Sequence, residues 1–279
     1  MTQTKISWSE EVWNPVTGCD RISPGCDHCY AMILAARLKL MGSAKYQVDG
    51  NPDTSGPGFG LTLHPGSLDE PLRKTKPRVW FVNSMSDLFH HDVPYEFIGS
   101  VWATMTACPQ HTFQVLTKRP QRMRAVLQEM TAHTEGSAYG GPIWRDHLLR
   151  WNESKVWPLP NVWLGTSIEN NRYAFRANHL RDTPAAVRFI SAEPLLGPLP
   201  SLDLTGIDWL ILGGESQRGA RPLDEGWFRE LTAMADDAGT AVFVKQMGSV
   251  WASEHGLRGK GEDLAEIPVD LRRRDYPAS

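Results

Sequence analysis

Apolar runs without alternation limit the folds open to this chain more than any other feature. Successive side chains of a strand point to opposite faces, so Trp209-Leu210-Ile211-Leu212 needs cover on both, as in a parallel sheet flanked by helices. Similar short runs, rich in β-branched and aromatic residues, occupy 59–64, 78–83, 112–117, 161–166, 187–191, 208–212 and 241–245, and 6–13 supplies a first strand. Between them, 94–107, 120–131, 172–181 and 225–238 carry the spacing of amphipathic helices. Eight strands alternating with helices predict an α/β chain, a (β/α)8 or partly open (β/α) barrel, with an open doubly wound sheet as the alternative. The 279 residues suit the roughly 250 of a barrel domain.

Two stretches interrupt the alternation. Residues 42–60 are rich in Gly, Pro, Asp and Ser and predict a loop. Residues 131–160, with three Trp, three Gly and three Pro, predict an insertion at the barrel mouth. No repeat or linker divides the chain, so one barrel domain over 1–279 is expected. A formal net charge of −3 gives no bulk attraction to nucleic acid or anionic membrane, although a local basic groove stays open. No apolar run approaches the ~20 residues that span a bilayer, and Met1-Thr2-Gln3-Thr4-Lys5 lacks the apolar stretch of a signal peptide. A soluble cytoplasmic protein without a membrane partner is the expectation.

Three of the four cysteines fall within eleven positions, as Cys19, Cys26 and Cys29 in a C-x6-C-x2-C pattern. In a reducing compartment such clustering points to metal or redox chemistry rather than bridges. Gly18, Pro24 and Gly25 allow bends that turn the sulfurs toward one point, and the helix former 31–40 follows directly. Its N-terminal dipole would favour thiolate charge. Three thiolates can serve zinc with a fourth ligand such as His28 or a carboxylate. They can equally serve three irons of a 4Fe-4S cluster and leave one iron open. Cys108, on a predicted helix, is expected as a buried small residue.

Polar groups close six of the predicted strands: Asn83-Ser84-Met85-Ser86-Asp87, Thr117-Lys118-Arg119, Thr166-Ser167-Ile168-Glu169, Ser191-Ala192-Glu193, Gly213-Gly214-Glu215-Ser216 and Lys245-Gln246. Carboxyl ends of barrel strands build active sites. Helix capping accounts for any one of these groups but not for all six. Asp87, Glu193 and Glu215 are the candidates to orient a substrate or move a proton. For Glu215 a plain turn with an exposed carboxylate is the alternative. A different function would use Lys118, Arg119, Arg122, Arg124 and Arg176 as phosphate contacts and some of the 11 Trp as stacking surfaces. That gives a zinc- or cluster-bearing nucleic-acid-binding protein, although such charges on helical faces are ordinarily solvated.

A cysteine triad in the loop after a first barrel strand, followed by a helix, resembles the radical S-adenosylmethionine superfamily. Trp13-Asn14-Pro15, the triad, Phe81-Val82-Asn83-Ser84-Met85-Ser86-Asp87-Leu88-Phe89, Leu116-Thr117-Lys118-Arg119-Pro120, Leu164-Gly165-Thr166-Ser167, Ser191-Ala192-Glu193-Pro194-Leu195 and Gly213-Gly214-Glu215-Ser216 are similar to an uncharacterised phage-associated three-cysteine family. The superfamily resemblance implies a 4Fe-4S cluster on Cys19, Cys26 and Cys29 whose open iron binds S-adenosylmethionine. Reduction by an external electron donor would give a 5′-deoxyadenosyl radical for modification or repair of a substrate, nucleic acid among the candidates. His28 stands where the superfamily places an aromatic residue against adenine. Thr117, Lys118, Ser167 and Glu193 are the candidates for the cofactor's carboxylate and ribose hydroxyls. The first cysteine gap holds six residues where the superfamily has three. Its Gly-Gly-Glu follows the second strand, whereas Gly213-Gly214-Glu215 follows the seventh.

Overall fold

The computed structural model describes residues 6–133 and 157–278, a mixed α/β chain. Seven strands form one sheet in the order β1 (Glu11–Trp13), β4 (Val79–Val82), β5 (Thr112–Thr117), β6 (Val162–Ser167), β7 (Val187–Ala192), β8 (Trp209–Gly213) and β9 (Ala241–Gln246). The registers of β1 with β4, β4 with β5, β7 with β8 and β8 with β9 are all parallel. Among the described residues no helix is long and apolar enough to cross a membrane.

Against the expected eight sheet strands, the described residues place seven in this sheet. Of 59–64 only Thr62–Leu63 (β3) is extended, and it pairs antiparallel with β2 (Val16–Thr17) in a separate two-stranded sheet. Pro65 ends β3 by removing an amide, and the partner strand is the short segment that leads into the cysteines. The first strand is also shorter than 6–13, because Ser9 N bonds the Ile6 carbonyl (3.1 Å) and closes a turn before Glu11. The helix expected over 172–181 begins as a 3-10 turn at Asn171–Tyr173, capped by the Asn170 side chain, and becomes α-helical only at Arg176–Arg181. Most of the 131–160 insertion lies outside the described residues, and 42–60 has no regular element beyond a 3-10 turn at Ala44–Tyr46.

The contacts of the chain gather into two compact units that alternate along it and divide β6 between Leu164 and Gly165. The first unit holds β1, β4 and β5 with most of α1 (Tyr30–Leu40), α2 (Tyr95–Ala107) and α3 (Pro120–His133). Trp13, Phe89, Ile98, Met105, Phe113 and Met123 are fully buried in its core. In α2 the residues Ile98, Val101, Trp102 and Met105 recur every three to four positions and are buried, the stripe a one-sided helix requires.

The second unit holds β7, β8 and β9 with α4 (Arg176–Arg181), α5 (Glu225–Ala238) and α6 (Ser249–Glu254). Helix α5 has legible ends. Asp224 accepts the Gly226 amide at its start, and Gly239 takes the left-handed conformation (φ 70) at its finish, a position where a side chain would be strained. All five residues of β8 are buried, as an apolar run without alternation requires. The C-terminal segment covers this strand: Tyr276 stacks on Trp209 at 5.3 Å, and the Trp209 indole donates to the Asp275 carbonyl (2.9 Å).

Gly165 has a packing cause. A Cβ there would stand 2.4 Å from the ring of Phe189, which is fully buried and cannot retreat. Gly165→Ala should destabilise the protein by about 1–3 kcal/mol, the cost of overpacking a filled core, read as a lower denaturant midpoint with unchanged slope.

Candidate functional site

In the first unit the polar groups gather where β4 and β5 end. The chain leaves β4 at Asn83 in the left-handed region (φ 61) and turns through Ser84, which hydrogen-bonds Asn14 (3.1 Å), to Asp87. Asp87 is buried and accepts from the Phe89 amide (2.9 Å), the Thr117 hydroxyl (2.7 Å), the Lys118 amide (3.0 Å) and Arg119 Nη1 (3.1 Å). Arg119 Nη1 also donates to Cys19 Sγ (3.3 Å), and Nη2 donates to the Asp20 carbonyl (3.4 Å). Burial pushes the Arg119 guanidinium down, but the negative charges of Asp87 and Cys19 outweigh it and hold the group above its ordinary value.

Asp20 extends this network. Its carboxylate accepts from the Thr54 hydroxyl and from His90 Nε2 (2.9 Å). Burial raises the Asp20 carboxyl, yet these bonds prevail and leave it below the usual range. His90 Nδ1 accepts the Asp92 amide (3.3 Å), which places the ring proton on Nε2. Burial pushes this buried imidazole below its ordinary value. His90, His91 and Asp92 can bring one ligand atom each within 4.8 Å, but both His90 nitrogens already have partners.

In the second unit Cys26 and Cys29 stand at the two ends of one hydrogen-bonded turn. Cys26 N bonds the Ser23 carbonyl (2.8 Å), Asp27 N the Pro24 carbonyl (3.2 Å) and Cys29 N the Cys26 carbonyl (3.3 Å). Helix α1 begins at the next residue, Tyr30. The two-residue gap in the sequence is therefore a turn that keeps both cysteines within the ~7 Å such turns span between Cα atoms.

Arg221 fastens this loop. Its Nη2 donates to the Pro24 carbonyl (2.9 Å) and its Nη1 to Asp27 (3.4 Å), while Nε and the backbone amide donate to Glu215 Oε2 (2.9 and 2.8 Å). His28 Nδ1 lies 3.1 Å from the same carboxylate oxygen. Glu215 is buried, which corrects the alternative of an exposed turn carboxylate: the side chain is folded inward onto a cation. Burial raises its carboxyl, but the bonds from Arg221 and His28 outweigh that and hold it below the usual range. Elsewhere in this unit Lys245 Nζ bonds Glu193 Oε1 (2.6 Å), and Gln246 Nε2 reaches the same oxygen (3.4 Å). Glu169 is wholly buried and paired through Oε2 with Arg176 Nη1 (2.9 Å), and its Oε1 has no partner among the described residues.

The structure thus joins Asp87, Thr117, Lys118 and Cys19 in one network, and His28, Glu215 and the Cys26–Cys29 turn in another. Thr117 lends its hydroxyl to Asp87 and accepts the Arg119 amide (2.8 Å), so it serves the fold of the site first. Ser167 is buried, its carbonyl accepting from Arg176 (2.8 Å). Cys108 caps α2, is buried, and its thiol is pushed up to about 11 by that burial. The triad thiols, by contrast, are partly exposed. The arginines weighed as phosphate contacts are engaged internally: Arg122 with the His91 and Val93 carbonyls, Arg124 with Asp182, and Arg176 with Glu169. Sequence patterning missed Arg221, because a lone arginine in a polar loop carries no signal until its partners are known.

These features define an α/β protein with a cysteine-bearing loop and buried ion pairs at the ends of its strands. The chain belongs to the family described as "Protein of unknown function (DUF5131)", whose model matches residues 3–270. No curated protein and no solved structure matches it.

Arg221→Met should lower stability at pH 7 by about 1–2 kcal/mol, since it strands the buried Glu215 carboxylate and releases the Pro24 carbonyl. A carboxyl held below its ordinary value of 4.5 contributes stability above that pH and loses it as pH falls through the folded-state value. The difference between wild type and variant should therefore shrink at pH 3, as denaturant titrations at the two pH values will show.

Proposed function

We propose that Cys19, Cys26 and Cys29 hold a 4Fe-4S cluster and that the protein is a radical S-adenosylmethionine-type enzyme on a partly open (β/α) barrel. The observation that carries this reading is the contact of Arg119 with Cys19. A largely buried cation, anchored by Asp87 and aimed at a thiol sulfur, suits a ligand that must remain a thiolate. The donor chemistry fits as well. Three partly exposed soft donors lie within eleven residues, while the fourth cysteine is buried and kept a thiol by burial.

Bound there, such a cluster supplies the one-electron reduction that splits S-adenosylmethionine into methionine and a 5′-deoxyadenosyl radical able to take a hydrogen atom from a substrate. The protein's own groups have distinct tasks. Arg119 offsets negative charge at Cys19, and Asp87 fixes its direction. Arg221 and Glu215 hold the Cys26–Cys29 turn, so Asp87 and Glu215 orient rather than exchange protons. Lys118, which is half-buried beside this network, is the cation for the cofactor carboxylate. His28 is the flat ring for adenine. Glu193, whose Oε1 takes both hydrogen bonds, keeps Oε2 for a donor on cofactor or substrate. Nucleic acid is one substrate class, and an electron donor is required.

Replacing Cys19, Cys26 or Cys29 by Ala should abolish iron binding after anaerobic reconstitution, whereas Cys108→Ala should retain it. Full iron content in any triad variant would remove the assignment. A colourless protein that carries zinc would favour the nucleic-acid-binding alternative.

Incubation of the reconstituted protein with dithionite and S-adenosylmethionine should release 5′-deoxyadenosine slowly without substrate. Chromatography against a Cys26→Ala control reads the outcome, and product no greater than the control would exclude the radical chemistry.

A further inference from the structure

Asn83 combines two features that a merely structural asparagine avoids. It is 3% exposed, and among the described residues neither Nδ2 nor Oδ1, both buried, has a hydrogen-bond partner. Buried amides are almost always satisfied, because an unmade bond costs the full desolvation of the group. Its backbone, at φ 61, is the one non-glycine residue in the left-handed region among those described. Asparagine tolerates that region better than most residues, but sparsely populated backbone states persist where something else requires them, and they gather at ligand sites.

The surroundings explain why the side chain finds no protein partner. Its amide N–H is spent on the Trp13 carbonyl (2.8 Å) and its carbonyl on the Ser86 amide (3.3 Å), so the backbone is locked on both sides. Ser84, Ser86 and Asp87 in the same segment all have partners: Ser84 with Asn14 from the end of β1, Ser86 with the Val16 carbonyl, Asp87 with Thr117 and Arg119. Of this turn's polar side chains, the Asn83 carboxamide alone lacks a partner among the described residues.

We propose that the Asn83 carboxamide is a recognition group for a planar ligand edge that offers one acceptor and one donor side by side, as a nucleobase does. The chemistry selects this class. A carboxylate or phosphate would engage Nδ2 and leave Oδ1 unpaired, and a cation would do the reverse. A neutral donor–acceptor edge satisfies both at once, in the bidentate manner by which asparagine reads adenine. The inference gives the first unit a base-reading group and names nucleobases as the substrate class. It does not depend on the cluster, because every group in it belongs to the polypeptide.

The test uses full-length protein purified without reconstitution, so a failure here is separable from a failure of the iron assignment. Calorimetric titration with adenosine, cytidine and ribose should give saturable binding of at least one nucleoside and none of ribose. Asparagine-selective 15N labelling identifies the Asn83 side-chain resonance by its loss in Asn83→Gly, and that resonance should shift on nucleoside addition. Asn83→Gly keeps the left-handed backbone and removes the carboxamide. It should weaken nucleoside binding at least tenfold while leaving the thermal midpoint unchanged or higher. Asn83→Asp, which preserves shape but replaces the donor by an anion, should weaken binding to a similar degree. Wild-type protein that binds no nucleoside, or Asn83→Gly that binds as wild type does, overturns the proposal. A marked fall in thermal midpoint for Asn83→Gly would also overturn it, because the carboxamide would then be a structural bond.

Discussion

The Asp87 carboxylate is the interaction on which the first unit's site depends. A carboxylate removed from water must regain the hydrogen bonds it loses, or folding becomes unfavourable. Asp87 regains them from its own turn, through the Phe89 amide, and from the end of β5, through Thr117, Lys118 and Arg119. Two strands adjacent in the sheet thus have their C-terminal ends tied by one side chain. The Arg119 guanidinium, fixed at Asp87, has few directions left for its remaining N–H groups. One of them meets the Cys19 sulfur. Without Asp87, Arg119 would lose rotamer freedom for a contact to sulfur and one long bond to the Asp20 carbonyl.

The second unit solves a similar problem with the same arrangement of charges. There the carboxylate, Glu215, sits at the end of β8 and the arginine reaches from a following loop. The product is again a fixed cysteine segment, since Arg221 also holds the Pro24 carbonyl and Asp27. In both units a strand-end carboxylate orients a guanidinium, and the guanidinium restrains a cysteine or the backbone beside it. Planar bidentate geometry favours arginine over lysine for this work. The same logic separates these pairs from the exposed ones, such as Arg73 with Asp69, which contribute little in water.

Some buried polar groups stay outside these networks. Among the described residues, Glu169 Oε1, Gln114 Oε1, Gln246 Oε1 and both polar atoms of Asn83 are buried without hydrogen-bond partners, and only in Asn83 are a donor atom and a separate acceptor atom of one side chain both left over. The open carboxamide at the end of β4 is therefore best understood as a group kept for something other than the fold.

What the sequence alone determined was the local part. Apolar runs announced six sheet strands within a residue or two, α5 from Glu225 to Ala238 was legible to its ends, and the cysteine spacing already contained a turn. These follow from short-range rules: side-chain alternation, capping and turn chemistry act within a few residues of each other. Tertiary structure decided what short-range rules cannot reach. Residues 59–64 look like any other strand, but β3 pairs with β2 because backbone hydrogen bonding depends on which edge is nearby, not on composition. Glu215 read equally well as a surface turn until Arg221 and His28 met it. Arg119 and Arg176 read as phosphate contacts until Asp87 and Glu169 claimed them. A charge has no role until its partner is placed, and for these groups the partner comes from another segment of the folded chain.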